Sequence, residues 1–179
     1  MFRSSDRRSY SHKSRFAAFL ASTALISNSI FANVVLGQAL PTGGQVAAGS
    51  ATINAPSNGA MTINQNSNSA IINWQSFNIG QSNSVTFIQP DASSAILNRV
   101  TGSTSTTIAG ALNANGQVYL VNPNGIAITS TGTINTGAFV ASTLGISDED
   151  FMSGKRTFTG NGASAPVTNA GTITINRGG

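Results

Sequence analysis

From about residue 40 onward, short apolar runs alternate with clusters of Asn, Gly, Ser and Pro. "ATIN" (51–54), "MTIN" (61–64), "AIIN" (70–73), "FNIG" (77–80) and "VTFI" (85–88) follow one another closely. "TTIAG", "QVYLV", "GIAIT", "GTIN" and, near the end, "GTITIN" continue the pattern. Each apolar core is short, rich in Ile, Val, Thr and Phe, and bounded by turn formers, which predicts strands joined by tight turns. Helical periodicity is absent almost throughout. The units also resemble one another. Ile53, Ile63 and Ile72 sit ten and nine residues apart in similar settings, and "GTIN" at 132–135 returns as "GTIT" at 171–174. Short β units that repeat argue for stacking. The pattern therefore predicts an all-β fold, a right-handed parallel β-helix with short extra-helical elements. Inward Ile, Val, Leu and Phe would stack into one core, Asn would occupy the corners it tolerates, and outward Ser, Thr and Asn would face water. An antiparallel sandwich is the competing architecture, with longer strands at 8–12-residue spacing.

One segment departs from the pattern. "ISDEDFMSGKRTFTG" (146–160) gathers Asp148, Glu149, Asp150, Lys155 and Arg156. Ser147 with Asp150 three residues on resembles a capping box, and Gly154 suits a helix end. This predicts one helical turn followed by a short strand in "RTFTG", projecting from the coil. A cation site is the other use for three adjacent acids. Consecutive side chains do not converge on one ion, and calcium-loop ligand spacing is missing.

Charge sharpens the picture by where it lies. The 179 residues carry only nine Lys/Arg and five Asp/Glu, 8% of the chain against about 25% in an average soluble domain. A sequence pI near 10.4 suggests a nucleic-acid partner. Five of the basic residues, Arg3, Arg7, Arg8, Lys13 and Arg15, fall in the first fifteen positions. The rest of the chain balances Arg99, Lys155, Arg156 and Arg177 against Asp91, Asp148, Glu149 and Asp150. No basic patch remains to bind phosphates, so no nucleic acid is expected.

The basic start is followed by the apolar stretch "FAAFLASTALI" (16–26) and then small residues, the order of a secretory signal. Its apolar core is too short for a membrane span of about 20 residues. Cleavage could follow Ala32 or Ala39, and "GQA" before the second fits the small-x-small rule better. Residues 1–39 are thus expected to be a leader and 40–179 the domain. The chain has no Cys, and its one His, His12, lies in that leader. Without either residue, the domain can build neither a Ser-His or Cys-His centre nor an ordinary zinc site. No enzyme activity, cofactor or metal is expected.

Four places could carry recognition. Asn122-Pro123-Asn124-Gly125, followed by Ile126, satisfies every position of a β-turn, with Pro pre-setting φ at the second and Gly closing the fourth. Trp74 is the sole Trp and reads as a core or corner aromatic, with a ligand platform as the other use. Asn98 and Arg99 form the third place. Arg99 is an isolated charge among apolar residues, suited to pairing with Asp91, bonding corner carbonyls or meeting a partner. "GNGAS" (160–164) is a Gly-rich loop that lacks the strand–helix setting and Lys of a phosphate loop.

Five stretches together resemble one family. They are "LPTGGQVAAG" (40–49), "INWQSFNIG" (72–80), "AILNRVTGS" (95–103), "GQVYLVNPNGI" (116–126) and "GAFVASTLGISDEDF" (137–151). In this order, they resemble the secretion domain of filamentous haemagglutinin-like exoproteins, the exported members of two-partner secretion systems. The resemblance spans residues 40 to about 155, and its hallmark is Asn122, Pro123, Asn124, Gly125 and Ile126. A second family motif, Asn-Pro-Asn-Leu, is missing; "IQPDASSAILNRV" occupies its neighbourhood. The resemblance implies export through the general secretion machinery. It then implies recognition by the periplasmic domains of a dedicated outer-membrane β-barrel transporter, passage to the surface or medium, and nucleation of a longer β-helix outside. It also implies a longer Gram-negative exoprotein, adhesive or otherwise, of which this chain is a truncated product or a fragment. Two other readings remain at this point. A β-helical polysaccharide lyase or hydrolase needs convergent carboxylates, and Asp91 stands alone. A stand-alone adhesin would bind carbohydrate on a β-helix face and add host-cell or bacterial surfaces as partners.

Overall fold

The computed structural model describes residues 40–160 and 165–176. The expected leader and most of the "GNGAS" loop lie outside the described residues. The chain opens with two short strands, β1 (Gln45–Ala48) and β2 (Ala51–Ile53), and then coils. The first coil is β3 (Ala60–Gln65) and β4 (Ser69–Trp74). The second is β5 (Ser84–Ile88), β6 (Ala95–Val100) and β7 (Thr106–Ile108). The third is β8 (Ala111–Ala114), β9 (Gln117–Val121) and β10 (Ile126–Ile128). The fourth is β11 (Thr133–Thr136), β12 (Ala138–Ser142), the helical turn α1 (Asp148–Met152) and β13 (Val167–Asn169). The strand β14 (Thr172–Ile175) then begins a fifth.

Strands stack in parallel on three faces. The first face runs β3-β5-β8-β11-β14, the second β4-β6-β9-β12, and the third β7-β10-β13. This is the parallel β-helix read from the sequence. The register shows why the apolar positions recur. Met61, Val85, Leu112, Ile134 and Ile173 form one row down the first face. Ala70, Ile96, Val118 and Phe139 form another down the second. Alternate residues of a strand share a side, so every second position enters the interior. Fully burying a Val, Leu, Ile, Phe or Met side chain there contributes about 1.5–3 kcal/mol; Ile173, in the last rung, stays partly exposed.

The repeat differs in three respects from its sequence reading. Ile63 and Ile72 belong to successive faces of one coil; they do not stack. The stacking period is longer: Ser84 lies beside Ala111 and Ala111 beside Thr133. "GTIN" and "GTIT" do stack, with Ile134 beside Ile173. "FNIG" contributes a single bridge, Ile79 to Ile108, in place of a strand. "ATIN" is not a rung: β2 runs antiparallel to β3, as β1 does to β4. These two strands cover the edges of β4 and β3 that would otherwise invite pairing with another chain.

A second core lies outside the coil. On the outer side of the second face, Ile71, Leu97, Tyr119 and Val140 occupy one register row. Ile146, Phe151 and Phe158, from the excursion between β12 and β13, pack over them. The helical turn forms as its cap predicts. Ser147 Oγ accepts the Asp150 N–H at 3.1 Å, and Gly154 follows with φ +85°. The expected strand in "RTFTG" reduces to one antiparallel bridge, Gly145 to Thr159. Among the described residues, no strand runs alongside it to extend a ladder.

Candidate functional site

The Asn-Pro-Asn-Gly stretch joins β9 to β10 at the corner between the second and third faces. Gly125 N–H donates to the Asn122 carbonyl at 3.1 Å, closing the turn. Asn122 Oδ1 accepts the Asn124 N–H at 2.9 Å, an Asx turn nested inside it. Asn122 is fully buried, and its amide is spent on the coil before it. Nδ2 donates to the Thr104 carbonyl at 3.0 Å and to Thr106 Oγ1 at 2.9 Å. Its backbone N–H reaches the coil after it, at the Ser142 carbonyl. Asn124 Nδ2 donates to the Gly102 carbonyl at 2.9 Å. Ile126 is buried, and its N–H donates to the Pro166 carbonyl.

One corner thus ties three successive coils. Gly125 has φ +104°, a conformation that favours glycine, and a Cβ there would lie a tight 3.1 Å from the Pro166 carbonyl oxygen. Only Pro123 and Asn124 of the five are exposed. Beside them a groove of about 610 Å³ is lined by Gln75, Asn78, Ser103, Thr104 and Thr107 among others. Its walls carry amides and hydroxyls but no ionic group, so it can hydrogen-bond a visitor and cannot select for charge.

The other candidates lie apart from this corner. Trp74 is in the core, edge-on to Phe77 with ring centroids 5.6 Å apart. Its indole Nε1 donates to Asn98 Oδ1 at 2.9 Å. Asn98 sits in the inward row between Ile72 and Leu120 and is fully buried. The pair satisfies itself inside an apolar interior, where either partner left alone would be costly. Neither side chain is accessible in the folded domain.

Arg99 points the other way, into the outer core's rim. The suggested partner Asp91 is not its partner. Arg99 Nη2 donates to the Asp148 carboxylate at 2.7 Å and the Ile146 carbonyl at 2.8 Å, and Nη1 donates to Asn73 Oδ1. Asp91 closes its own turn by accepting from the hydroxyls and backbone N–H groups of Ser93 and Ser94. Those bonds, the Ser93 hydroxyl foremost, hold its carboxyl below the usual aspartate pKa. Two of the three acids of α1 turn apart: Asp148 to Arg99, and Asp150 to Lys155 at 3.1 Å.

Two features escaped the sequence reading. Arg156 stacks over Phe151, 4.1 Å from the ring centroid, and over Tyr119 at 5.0 Å. Its Nη1 donates to the Phe151 carbonyl at 2.6 Å. Gln65 and Gln89 form a buried ladder at the corner between the first two faces, with Gln89 Nε2 donating to Gln65 Oε1 and to the Ser94 carbonyl. Gln89 begins the "QPDASS" stretch that stands near the expected place of the missing second motif. A polar residue closing an apolar strand was the available signal.

These features, a three-faced parallel coil with an antiparallel cap, an Asn-Pro-Asn-Gly corner and an outer excursion, coincide with a family match. The family model described as the TPS secretion domain matches residues 32–179, and the chain belongs to that family, the secretion domains of two-partner-secretion exoproteins. Two similar curated proteins, both from Haemophilus influenzae, are named heme/hemopexin-binding protein. They are 44% identical over 104 residues and 41% over 95, covering 58% and 53% of this chain. The chain spans about a tenth of their length, 11% and 10%. A crystal structure of the HMW1 secretion domain from Haemophilus influenzae matches with a TM-score of 0.71 at 41% identity. That match covers 75% of this chain and 36% of the other.

Proposed function

We propose that this domain is the export address of a longer exoprotein, and that a cognate outer-membrane β-barrel transporter reads Asn122, Pro123, Asn124, Gly125 and Ile126 through its periplasmic domains before the chain folds. The carrying observation is the burial of the motif. Asn122, Gly125 and Ile126 are enclosed in the folded domain, so a partner that reads all five meets an unfolded chain. The same residues then serve twice, as an extended recognition sequence and later as the corner that ties three coils. A Cys-free chain supports this order, because no disulfide can form in the periplasm and block threading. The leader hands the chain to the general secretion machinery, and the product reaches the surface or medium. The domain's role is non-catalytic. Adhesive or other effector activity belongs to the rest of the exoprotein.

Export with and without the cognate transporter, followed by a blot of the medium, tests the reading. The arms are wild type, the Asn122→Ala/Asn124→Ala double variant, and Leu112→Ala as a control that destabilises the interior. Transporter-dependent export that the double variant loses about tenfold more than the control corresponds to about 1.4 kcal/mol of lost recognition. Equal losses in both would reduce the motif to a corner.

A further inference from the structure

Three Asn-Gly pairs lie among the described residues: Asn58-Gly59, Asn115-Gly116 and Asn124-Gly125. Such a pair is prone to spontaneous deamidation, because glycine has no Cβ to obstruct its nitrogen from reaching the Asn side chain. The glycine nitrogen bonds to Asn Cγ, the Cγ–Nδ2 bond breaks, and ammonia leaves. Water then opens the succinimide to aspartate or isoaspartate. The reaction requires a free glycine N–H and an Asn side chain able to turn onto it.

The fold treats the three pairs differently. At Asn124, the Gly125 N–H is engaged by the Asn122 carbonyl, while Asn124 Nδ2 is held by the Gly102 carbonyl and Asn122 Oδ1. At Asn115, the side-chain amide pairs with both backbone groups of Gln89, and the Gly116 N–H donates to Gln89 Oε1 at 3.0 Å. Asn58 is exposed at the tip of the β2–β3 hairpin, where Asn58 and Gly59 have φ of 49° and 77°. Ser57 and Ala60 close that turn, and neither the Asn58 amide nor the Gly59 N–H carries a hydrogen bond among the described residues.

We propose that Asn124 is a deamidation site of the unfolded chain which folding closes, while Asn58 stays open in the folded domain. Conversion at Asn124 is damaging by position. A carboxylate there faces two acceptors, the Gly102 carbonyl and Asn122 Oδ1, in place of two hydrogen bonds. Isoaspartate also lengthens the backbone inside a turn that ties three coils. The time a chain spends unfolded is therefore written into the corner it needs for folding. That timing consequence rests on export of an unfolded chain, as proposed above; the chemistry does not.

The test is peptide mass mapping of the full chain, incubated at neutral pH either folded or in concentrated urea, without any transporter. In urea all three sites gain the mass of deamidation at similar rates. In the folded chain Asn58 continues while Asn115 and Asn124 slow by about tenfold or more, since reaction requires local opening. Equal rates at Asn124 in both states, or equal slowing at Asn58, would overturn the proposal. Gly125→Ala, measured in urea where folding is not at issue, should slow Asn124 alone. An unchanged rate there would rule out the succinimide route.

Discussion

The two sides of β6 bury side chains in different ways. Inward, Ile96, Asn98 and Val100 join rows that repeat coil after coil. Outward, Ala95 and Leu97 meet a segment that occurs once, carrying Ile146, Phe151 and Phe158. The inner core is built by repetition, and each coil contributes the same positions. The outer core is built by a clasp, which gains little until the outward row of Ile71, Leu97, Tyr119 and Val140 is assembled beneath it. Its pins are ionic and aromatic: Arg99 to Asp148, and Arg156 over Phe151 and Tyr119. The contrast shows that a stacked coil, in which each rung touches mainly its neighbours, can be bound across several rungs by one non-repeated element.

The largest expected effect is on the inner side. Phe87→Ala should cost about 3–5 kcal/mol and lower the denaturation midpoint of the whole coil by every probe used. Phe151→Ala removes a ring of the same size from the clasp and should cost about 3 kcal/mol, the low end of the same range. Here hydrogen exchange should rise across the helical turn while amides of β5 and β8 keep their protection. Loss of protection in those strands would erase the distinction between the two cores.

Two smaller perturbations sharpen it. Trp74→Phe leaves Asn98 Oδ1 unpaired inside the coil and should cost about 1–3 kcal/mol. Adding Asn98→Leu should recover part of that loss, which a double-mutant cycle measures. If the second change only deepens the loss, Asn98 has a role beyond satisfying the indole. The smallest effect is at Asp91, outside both cores. Its folded pKa is depressed, so its contribution is present above the ordinary aspartate value and is lost as pH falls through the lower folded value. Asp91→Asn should therefore be less stable than wild type at neutral pH, and the difference should vanish in strong acid. A difference that persists there would assign the effect to packing of the turn.

The apolar rows, the Asn corners, the capped turn at Ser147 and the exclusion of His and Cys chemistry were legible in the sequence because each depends on local residue type and spacing. The family resemblance was legible because five motifs keep their order. Other features required the fold. Arg99 meets Asp148 rather than Asp91, since long-range pairing follows the stacking of coils and not distance along the chain. The antiparallel cap looked like one more rung, because a three-residue apolar strand carries no mark of its direction. The clasp looked like a projection from the coil, because its charges hide the three apolar residues that turn inward only when a row of partners stands beneath them. The motif itself divides the same way. Its composition specified a turn, while only tertiary contacts revealed that Asn122, Gly125 and Ile126 vanish into three joined coils on folding.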